Sequence, residues 1–372
     1  MEAAGGALSG ICDREARAGA IDLSFPRSSG QELEGEKEAM LRRIVAIGLA
    51  AVISVCLSAA AQAGYVQNSV SEISIPVTGS GWNAYLGGFD HNSSGNIVAY
   101  TGRDVVEVSG AGTVLRTLYS GSSAMGPSFV KVDRYTDRVY FGESSEGTIK
   151  AMGSNGGGLT TLLTLANNYD MAIDFSGRLL VSAAGADWSS TSLWSVNAAT
   201  GQATLFGNIS GPSGPLAVGA DGALYYGTAT GDWASTGTQS VFSWSQALVD
   251  TAIGGGAALS AANATTVING TDNVSSMAFD GDGNLYYSTS QAAPASIWRV
   301  SGGSQSLVTT ANPQGFNWLT TLRYNQATGC LDVNVGGASM GVIASVDPVP
   351  EPSCLVALAS LAALAGAIRR RR

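Results

Sequence analysis

One motif recurs along the central part of the sequence and restricts the possible folds more than any other feature. Each copy has an apolar-x-apolar segment ending in a polar residue or glycine, then a glycine-containing turn and a second apolar or aromatic strand. A further hairpin follows in most copies, so one copy supplies about four strands. The residues that start the first turn are Asp90, Asp133, Asp174, Gly219, Asp280 and Asn325, at spacings of 43, 41, 45, 61 and 45.

Six copies of about four strands are typical of a six-bladed β-propeller. We predict an all-β domain over residues 64–347, with four-stranded antiparallel blades. The segment SVSEISIPVTG, from Ser69, is expected to pair with the short last copy and close the ring. A Gly/Ala/Asn-rich insertion occupies about 252–273, and no helical periodicity stands out. The repeat pattern, over about 280 residues, resembles that of NHL, SMP-30 and YVTN-type propellers.

Most of the prominent residues of the repeat are predicted to be architectural. Asp133, Asp174 and Asp280 are expected to cap the backbone N–H groups of their own turns. Trp194, Trp298 and Phe242 occupy equivalent positions in third strands and are expected to pack between blades.

The N-terminal region contains the pattern of a secretory signal peptide, starting at Met40 rather than at residue 1. Residues 40–63 have an arginine pair, an apolar stretch and a small-x-small cleavage site at Ala61 and Ala63. We predict a signal peptide helix there. Residues 1–39 are interpreted as a wrongly assigned start, and the alternative is a genuine extension before a signal anchor.

The C-terminal region, residues 348–372, combines a Pro-Glu-Pro motif, an apolar run and a basic cluster. This order resembles the PEP-CTERM sorting signal of exported bacterial proteins. The resemblance implies a transmembrane sorting helix and processing by an exosortase, after transient anchoring of the precursor in the inner membrane. The two signals imply export with cleavage by signal peptidase, followed by release to the cell envelope or extracellular space. The matching residues are Val349, Pro350, Glu351, Pro352, Arg369, Arg370, Arg371 and Arg372.

The charge and the histidine count exclude several functions. The chain has 19 basic and 28 acidic residues, a formal net charge of −9, which argues against a nucleic-acid partner. Its single histidine, His91, excludes multi-histidine metal sites. The string from Asp280 to Asn284 resembles a calcium loop but lacks the bidentate glutamate. We interpret it as a turn and predict neither a metal nor another cofactor.

A candidate ligand-binding face comes from two nearly identical loops. The strings DWSST from Asp187 and DWAST from Asp232 lie between second and third strands, on the face where connections enter each blade. Aromatic side chains with polar neighbours suit sugar rings. The alternative is a copied loop whose tryptophans cover blade edges. Trp82, Tyr169, Asp170 and Trp318 are expected in the connections that enter the blades. The candidate ligand residues are Trp82, Tyr169, Asp170, Asp187, Trp188, Asp232, Trp233 and Trp318.

Three functions remain in competition. The favoured one is an exported, non-catalytic propeller that binds a glycan, such as extracellular polysaccharide, or another protein. The second is a metal-dependent lactonase, which needs converging Glu, Asp and Asn ligands in the central channel. No such set can be placed from the sequence, so no catalytic residue is assigned. The third is a purely structural matrix protein.

Overall fold

The computed structural model describes residues 70–78, 85–121, 126–144, 146–212, 214–230, 237–290, 295–309, 319–335 and 340–346. The chain divides into two units, residues 1–59 and 60–372, and every described residue belongs to the second. Six separate four-stranded sheets make up this unit, and all their strand pairs are antiparallel. The prediction of an all-β domain with four-stranded blades is therefore confirmed.

The strand β1 (Val70–Pro76) comes first in the chain but belongs to the last blade. Each of blades 1 to 5 is built from four consecutive strands, the first of which is innermost. Blade 1 consists of β2 (Gly88–His91), β3 (Ile97–Tyr100), β4 (Asp104–Val108) and β5 (Val114–Ser120). Blade 2 consists of β6 (Pro127–Val132), β7 (Val139–Glu143), β8 (Thr148–Met152) and β9 (Thr160–Thr164).

The next three blades repeat this arrangement. Blade 3 consists of β10 (Asn168–Ile173), β11 (Leu179–Ala184), β12 (Ser190–Val196) and β13 (Ala203–Ser210). Blade 4 consists of β14 (Leu216–Val218), β15 (Leu224–Gly227), β16 (Gln239–Trp244) and β17 (Thr265–Thr271). Blade 5 consists of β18 (Val274–Phe279), β19 (Leu285–Thr289), β20 (Ile297–Ser301) and β21 (Ser304–Thr309).

Blade 6 closes the ring by combining the two ends of the domain. It consists of β22 (Leu319–Asn325), β23 (Cys330–Val335), β24 (Met340–Val346) and β1 as the outer strand. The register runs from Val70 opposite Val346 to Pro76 opposite Met340. The innermost strands contact one another in sequence around the ring, and β22 contacts β2. The predicted pairing of the N-terminal strand with the last copy is confirmed.

The hydrophobic core is divided into six clusters, and each lies between two neighbouring blades. Ile75 of β1 is fully buried in the cluster between blades 6 and 1, beside Ile343 and Phe89. Trp194, Phe242 and Trp298 pack, partly buried, against three of the other clusters. Their predicted role in packing between blades is confirmed. Because every blade uses both faces, burial rather than a disulfide holds the ring together.

The first turns of the blades are capped by Asp or Asn side chains. Asp174 Oδ1 accepts from the backbone N–H groups of Ser176 and Arg178, both at 2.9 Å, and Asp133 and Asp280 cap their turns in the same way. Blade 1 differs from the prediction, because Asn92 rather than Asp90 caps its turn. Asp90 lies two residues earlier, on β2.

The connection between β16 and β17 in blade 4 contains a helix that was not predicted, and it starts before the insertion expected at about 252–273. Helix α1 (Gln246–Ile253) starts after Ser245, whose hydroxyl accepts from Leu248 N. The helix is short, and only Val249 and Ala252 are buried, so its apolar periodicity is weak. After the helix, Leu259 forms a bridge to Gly207 of β13. The β16–β17 connection thus packs on blade 3 as well as blade 4.

The predicted terminal signals lie outside the described residues. This applies to the extension 1–39, the signal peptide 40–63 with Ala61 and Ala63, and the sorting signal 348–372. Within the described part of the chain, no helix has the length and apolar character needed to cross a membrane.

Candidate functional site: the central channel and the loop face

The propeller has two faces that differ in the connections they carry. We call the "loop face" the one that carries the connections between second and third strands and those entering each blade. The "hairpin face" carries the connections between first and second and between third and fourth strands. On the loop face of blade 3, Asn167 Nδ2 donates to Gly185 O at 3.5 Å. The predicted proximity of these two kinds of connection is therefore present.

Asp187 and Trp188 lie on the loop face, in the connection between β11 and β12. The Trp188 side chain is 46% exposed, and its backbone has a φ of 59°. A left-handed backbone is rare for a bulky residue. Asp187 Oδ1 accepts from Ser189 N at 3.1 Å, and this bond together with the Ser189 hydroxyl lowers the pKa of Asp187. The loop therefore presents an indole ring to solvent from a defined turn.

Two polar residues entering blade 5 accept hydrogen bonds from the backbone of blade 4. Asn273 is fully buried, and its Oδ1 accepts from Thr230 N at 2.8 Å. Asp272 Oδ1 accepts from Gly237 N at 3.1 Å. The predicted ligand residues Trp82, Asp232, Trp233 and Trp318 lie outside the described residues.

The sequence predicts Tyr169 and Asp170 in a loop. The structure instead has both residues on the innermost strand β10. Tyr169 OH donates to Ser275 O of blade 5 at 3.2 Å, and burial raises the pKa of Tyr169. Asp170 is buried, and its Oδ2 accepts from Leu216 N of blade 4 at 3.0 Å. Both side chains therefore join blade 3 to other blades at the channel.

Four charged side chains from four blades meet where the innermost strands surround the channel. Lys131 Nζ is 3.5 Å from Asp170 Oδ1, and Arg323 Nη2 is 3.7 Å from the same oxygen. Arg323 Nε is 4.0 Å from Asp90 Oδ1. Asp90, Lys131 and Arg323 each lie two residues before the turn-starting residue of their blade, which places them at one level. We call Asp90, Lys131, Asp170 and Arg323 the channel cluster; its formal charges cancel.

The Lys131 ammonium is destabilised by its position in the channel cluster. Burial, followed by the neighbouring Arg323 guanidinium, lowers the pKa of Lys131 from 10.5 to about 8. The attraction of Asp170 and Asp90 opposes these two effects without cancelling them. The amine therefore loses its proton more readily than a solvated lysine.

Lys131 is expected to make stability depend on pH in the alkaline range. Between about 8 and 10.5 the unfolded chain binds more protons at this residue than the folded chain does. Stability from this group therefore rises as the pH rises through that window, and it is lost as the pH falls toward 8. Relative to Lys131→Met, the wild type should gain at most about 2 kcal/mol between pH 8 and 10. Urea unfolding across this range measures the difference, and a constant difference would contradict the expectation.

His91 forms a second buried pair, at the junction of blades 1 and 6. Its Nε2 lies 2.8 Å from Asp332 Oδ2, and Asn325 Nδ2 lies 3.3 Å from the same oxygen. The His91 ring packs edge-on against Phe89. The pair has no local sequence signal, because Asp332 is remote from His91 in the chain and belongs to the last blade.

The channel cluster does not fit the metal centre that a lactonase requires. Such a centre needs several oxygen ligands that converge on one cation. Here Asp170 lies next to two cationic side chains, Lys131 and Arg323, and Asp90 lies next to Arg323. A divalent cation placed among them would be repelled by both positive charges. Nowhere in the described ranges do three His, Cys, Asp or Glu side chains form a group able to hold a metal ion.

Comparisons with known proteins agree with the fold. Neither a protein-family model nor a curated protein matches this chain. A glucose dehydrogenase structure is 10% identical, with a TM-score of 0.54, over 74% of this chain and 98% of its own. A protein proposed to be a gluconolactonase is 9% identical, with a TM-score of 0.53, over 75% of this chain and 93% of its own. Regucalcin from Agrobacterium tumefaciens, described as calcium-binding, is 12% identical, with a TM-score of 0.50, over 74% of this chain and 92% of its own.

At these identities the likeness extends to the fold alone. The architecture defines the chain as a six-bladed β-propeller, whose six sheets and closing strand match the predicted class.

Proposed function

We propose that this chain is an exported, non-catalytic β-propeller that is displayed at the cell envelope or in the extracellular matrix and binds a glycan or a protein. The pairing within the channel cluster carries this proposal. Acidic groups at the site where six-bladed metal-dependent hydrolases need their ligands are here neutralised by Lys131 and Arg323. The channel thus supports a structural role, and recognition is assigned to the surface.

Export and sorting rest on the two terminal signals. Signal peptidase acts after Ala63, and an exosortase acts at the motif Val349–Pro352 and removes the apolar run and the arginine tail. The segment from Gly64 to Pro352 has 9 basic and 20 acidic residues, a formal charge of −11. Such a charge favours solubility and disfavours binding to anionic membranes after release.

The competing function is a metal-dependent lactonase. It is favoured by the proposed gluconolactonase among the structures with this fold. That likeness, at 9% identity, supplies no ligand set for this chain.

The two functions are separated by metal analysis and a lactone assay on the purified full-length protein. We expect no stoichiometric calcium or zinc after dialysis against either ion, and no hydrolysis of a sugar lactone above the buffer rate. Bound metal together with hydrolysis that a chelator removes would establish the lactonase instead. For sorting, changing Pro350, Glu351 and Pro352 to alanine should retain the protein in the membrane fraction. Release equal to that of the wild type would contradict the exosortase assignment.

A further inference from the structure

The hairpin face, opposite the loop face, contains a cleft between blades 2 and 3. Its cavity measures about 550 Å³, within the range of roughly 300–1,000 Å³ that is usual for small-molecule sites. It is open to solvent, and hairpin connections from both blades line it. Its polar lining consists of Asp133, Thr136, Arg138 and Tyr140. We call this cavity, together with the adjoining Arg134, Tyr135 and Phe175, the arginine cleft.

The arginine cleft contains two cations that pair with no carboxylate among the described residues. Arg138 lies over the ring of Tyr140 at 5.6 Å, and Arg134 contacts aromatic rings. Of the seven other basic residues between positions 64 and 352, Arg299 donates to Asn284. The remaining six form ion pairs: Arg103, Arg116, Lys131, Lys150, Arg178 and Arg323. In an acidic protein, two arginines outside any ion pair of the described residues thus lie at one cavity, and the carboxylates of Asp133 and Asp137 on the same hairpin balance their formal charge.

Two exposed aromatic rings adjoin the cavity. Tyr135 is 75% exposed and Phe175 is 51% exposed, and they belong to the first hairpins of blades 2 and 3. The Arg134 guanidinium lies 4.8 Å from the centre of the Tyr135 ring and 5.9 Å from that of Phe175. Exposed rings beside hydrogen-bonding groups suit a ligand with apolar C–H faces and hydroxyl groups, as a sugar ring has.

Both hairpins are held in place by bonds to neighbouring blades. Asp137, at a φ of 54°, accepts from the backbone N–H and hydroxyl of Ser93 in blade 1. Arg178 pairs with Asp174 in its own hairpin and with Asp250 of helix α1. A site whose loops are already ordered loses less conformational entropy when it binds a ligand.

Glycines leave part of the cavity lining without side chains. Gly158 and Gly177 have positive φ values of 67° and 78°, and a Cβ added at either would meet no atom within 4 Å. Glycine is thus favoured at these two positions by the left-handed backbone conformation and not by a lack of space for a side chain. Asparagine tolerates this conformation, so Gly177→Asn would place a side chain in open space at the cleft with little backbone strain.

We propose that the arginine cleft binds an acidic saccharide, with Arg138 taking the carboxylate and Tyr135 and Phe175 stacking on sugar rings. The inference rests on the binding role proposed above and specifies its ligand class and location. A planar guanidinium suits a carboxylate because it donates two parallel hydrogen bonds. The net negative charge of the chain repels a polyanion. Measurable binding of one would therefore come from a local site and not from non-specific attraction.

The test measures binding of polygalacturonate to the full-length protein at physiological salt, with its carboxyl-reduced form as the neutral match. We expect the acidic polymer to bind and the neutral polymer to bind at least about tenfold more weakly. Arg138→Gln should weaken binding of the acidic polymer about tenfold and leave the neutral polymer within about twofold. The double variant Tyr135→Ala/Phe175→Ala should weaken binding of both polymers about tenfold.

The matched control is Leu115→Ala, which removes an exposed apolar side chain from the outer strand of blade 1. We expect this variant to bind the acidic polymer like the wild type, and Gly177→Asn to bind it more weakly. Trp188→Ala tests the competing site on the loop face. Absence of wild-type binding overturns the inference, and so does binding that survives the double variant but is lost in Trp188→Ala. Neither result affects the metal, lactone or sorting measurements, so the proposed function is tested separately. Unchanged thermal unfolding of each variant verifies that the fold is retained.

Discussion

Replacing Glu143 by alanine is expected to lower the free energy of unfolding by about 3–5 kcal/mol. Glu143 is fully buried at the end of β7, and its carboxylate accepts from Lys150 and Thr148 of its own blade. Tyr100 and Tyr119 of blade 1 donate to it at 3.2 and 3.1 Å. Without the carboxylate, the two tyrosine hydroxyls lose their acceptor and the Lys150 ammonium loses its counterion at the junction of blades 1 and 2.

The tyrosines remain donors over the working pH range. Burial, and then the Glu143 charge, raise the pKa of Tyr100, and burial raises that of Tyr119. Glu143→Gln keeps the shape and an acceptor, so its loss should be smaller, about 1–3 kcal/mol. Glu146→Ala is the control, because this nearby carboxylate is exposed, and it should change stability by at most about 0.5 kcal/mol. Equal urea unfolding midpoints for Glu143→Ala and the control would show that the Glu143 carboxylate does not stabilise the junction of blades 1 and 2.

Replacing Asp170 by alanine is expected to lower the free energy of unfolding by a similar amount, about 3–5 kcal/mol. Asp170 lies next to both cations of the channel cluster and accepts from Leu216 N of blade 4. Its removal leaves Lys131 with no carboxylate within 4 Å among the described residues and leaves Arg323 with Asp90 alone. Asp170→Asn keeps an acceptor for Leu216 N, so it isolates the effect of the charge.

A double-mutant cycle at neutral pH separates charge from packing at this site. Adding Lys131→Met to Asp170→Asn should restore part of the lost stability, because the second change removes the buried cation that the first leaves unpaired. Asp282→Asn, at an exposed turn, is the control. Strictly additive losses would mean that Lys131 and Asp170 do not interact in the folded state.

Blade number and turn chemistry were predictable because they are local. Asp133, Asp174 and Asp280 bond to backbone groups within four residues of themselves, so a single copy of the motif contains the whole interaction. The position of blade 1 was misjudged by two residues. Asp90 and Asn92 are two residues apart, which is the period of an alternating strand, and both residue types suit the cap.

The candidate site was only partly predictable. Asp187 and Trp188 lie on the predicted face because strand order alone decides which loops share a face. Tyr169 and Asp170 were expected in a loop, but β10 begins at Asn168 and includes them. The arginine cleft had no sequence signal, because Arg134 and Phe175 belong to different copies of the motif and approach each other only when blades pack.

The sequence by itself determined the repeat and the strand alternation, and it is the sole basis of the two proposed terminal signals, since each of these patterns lies within a few tens of consecutive residues. Only the tertiary structure decided how the charged residues pair. Lys131, Asp170 and Arg323 come from blades 2, 3 and 6, and the closed ring brings their side chains within 4 Å. Ring closure by β1 therefore converts separate local motifs into one electrostatic unit, because charges interact strongly only when burial and distance are set together.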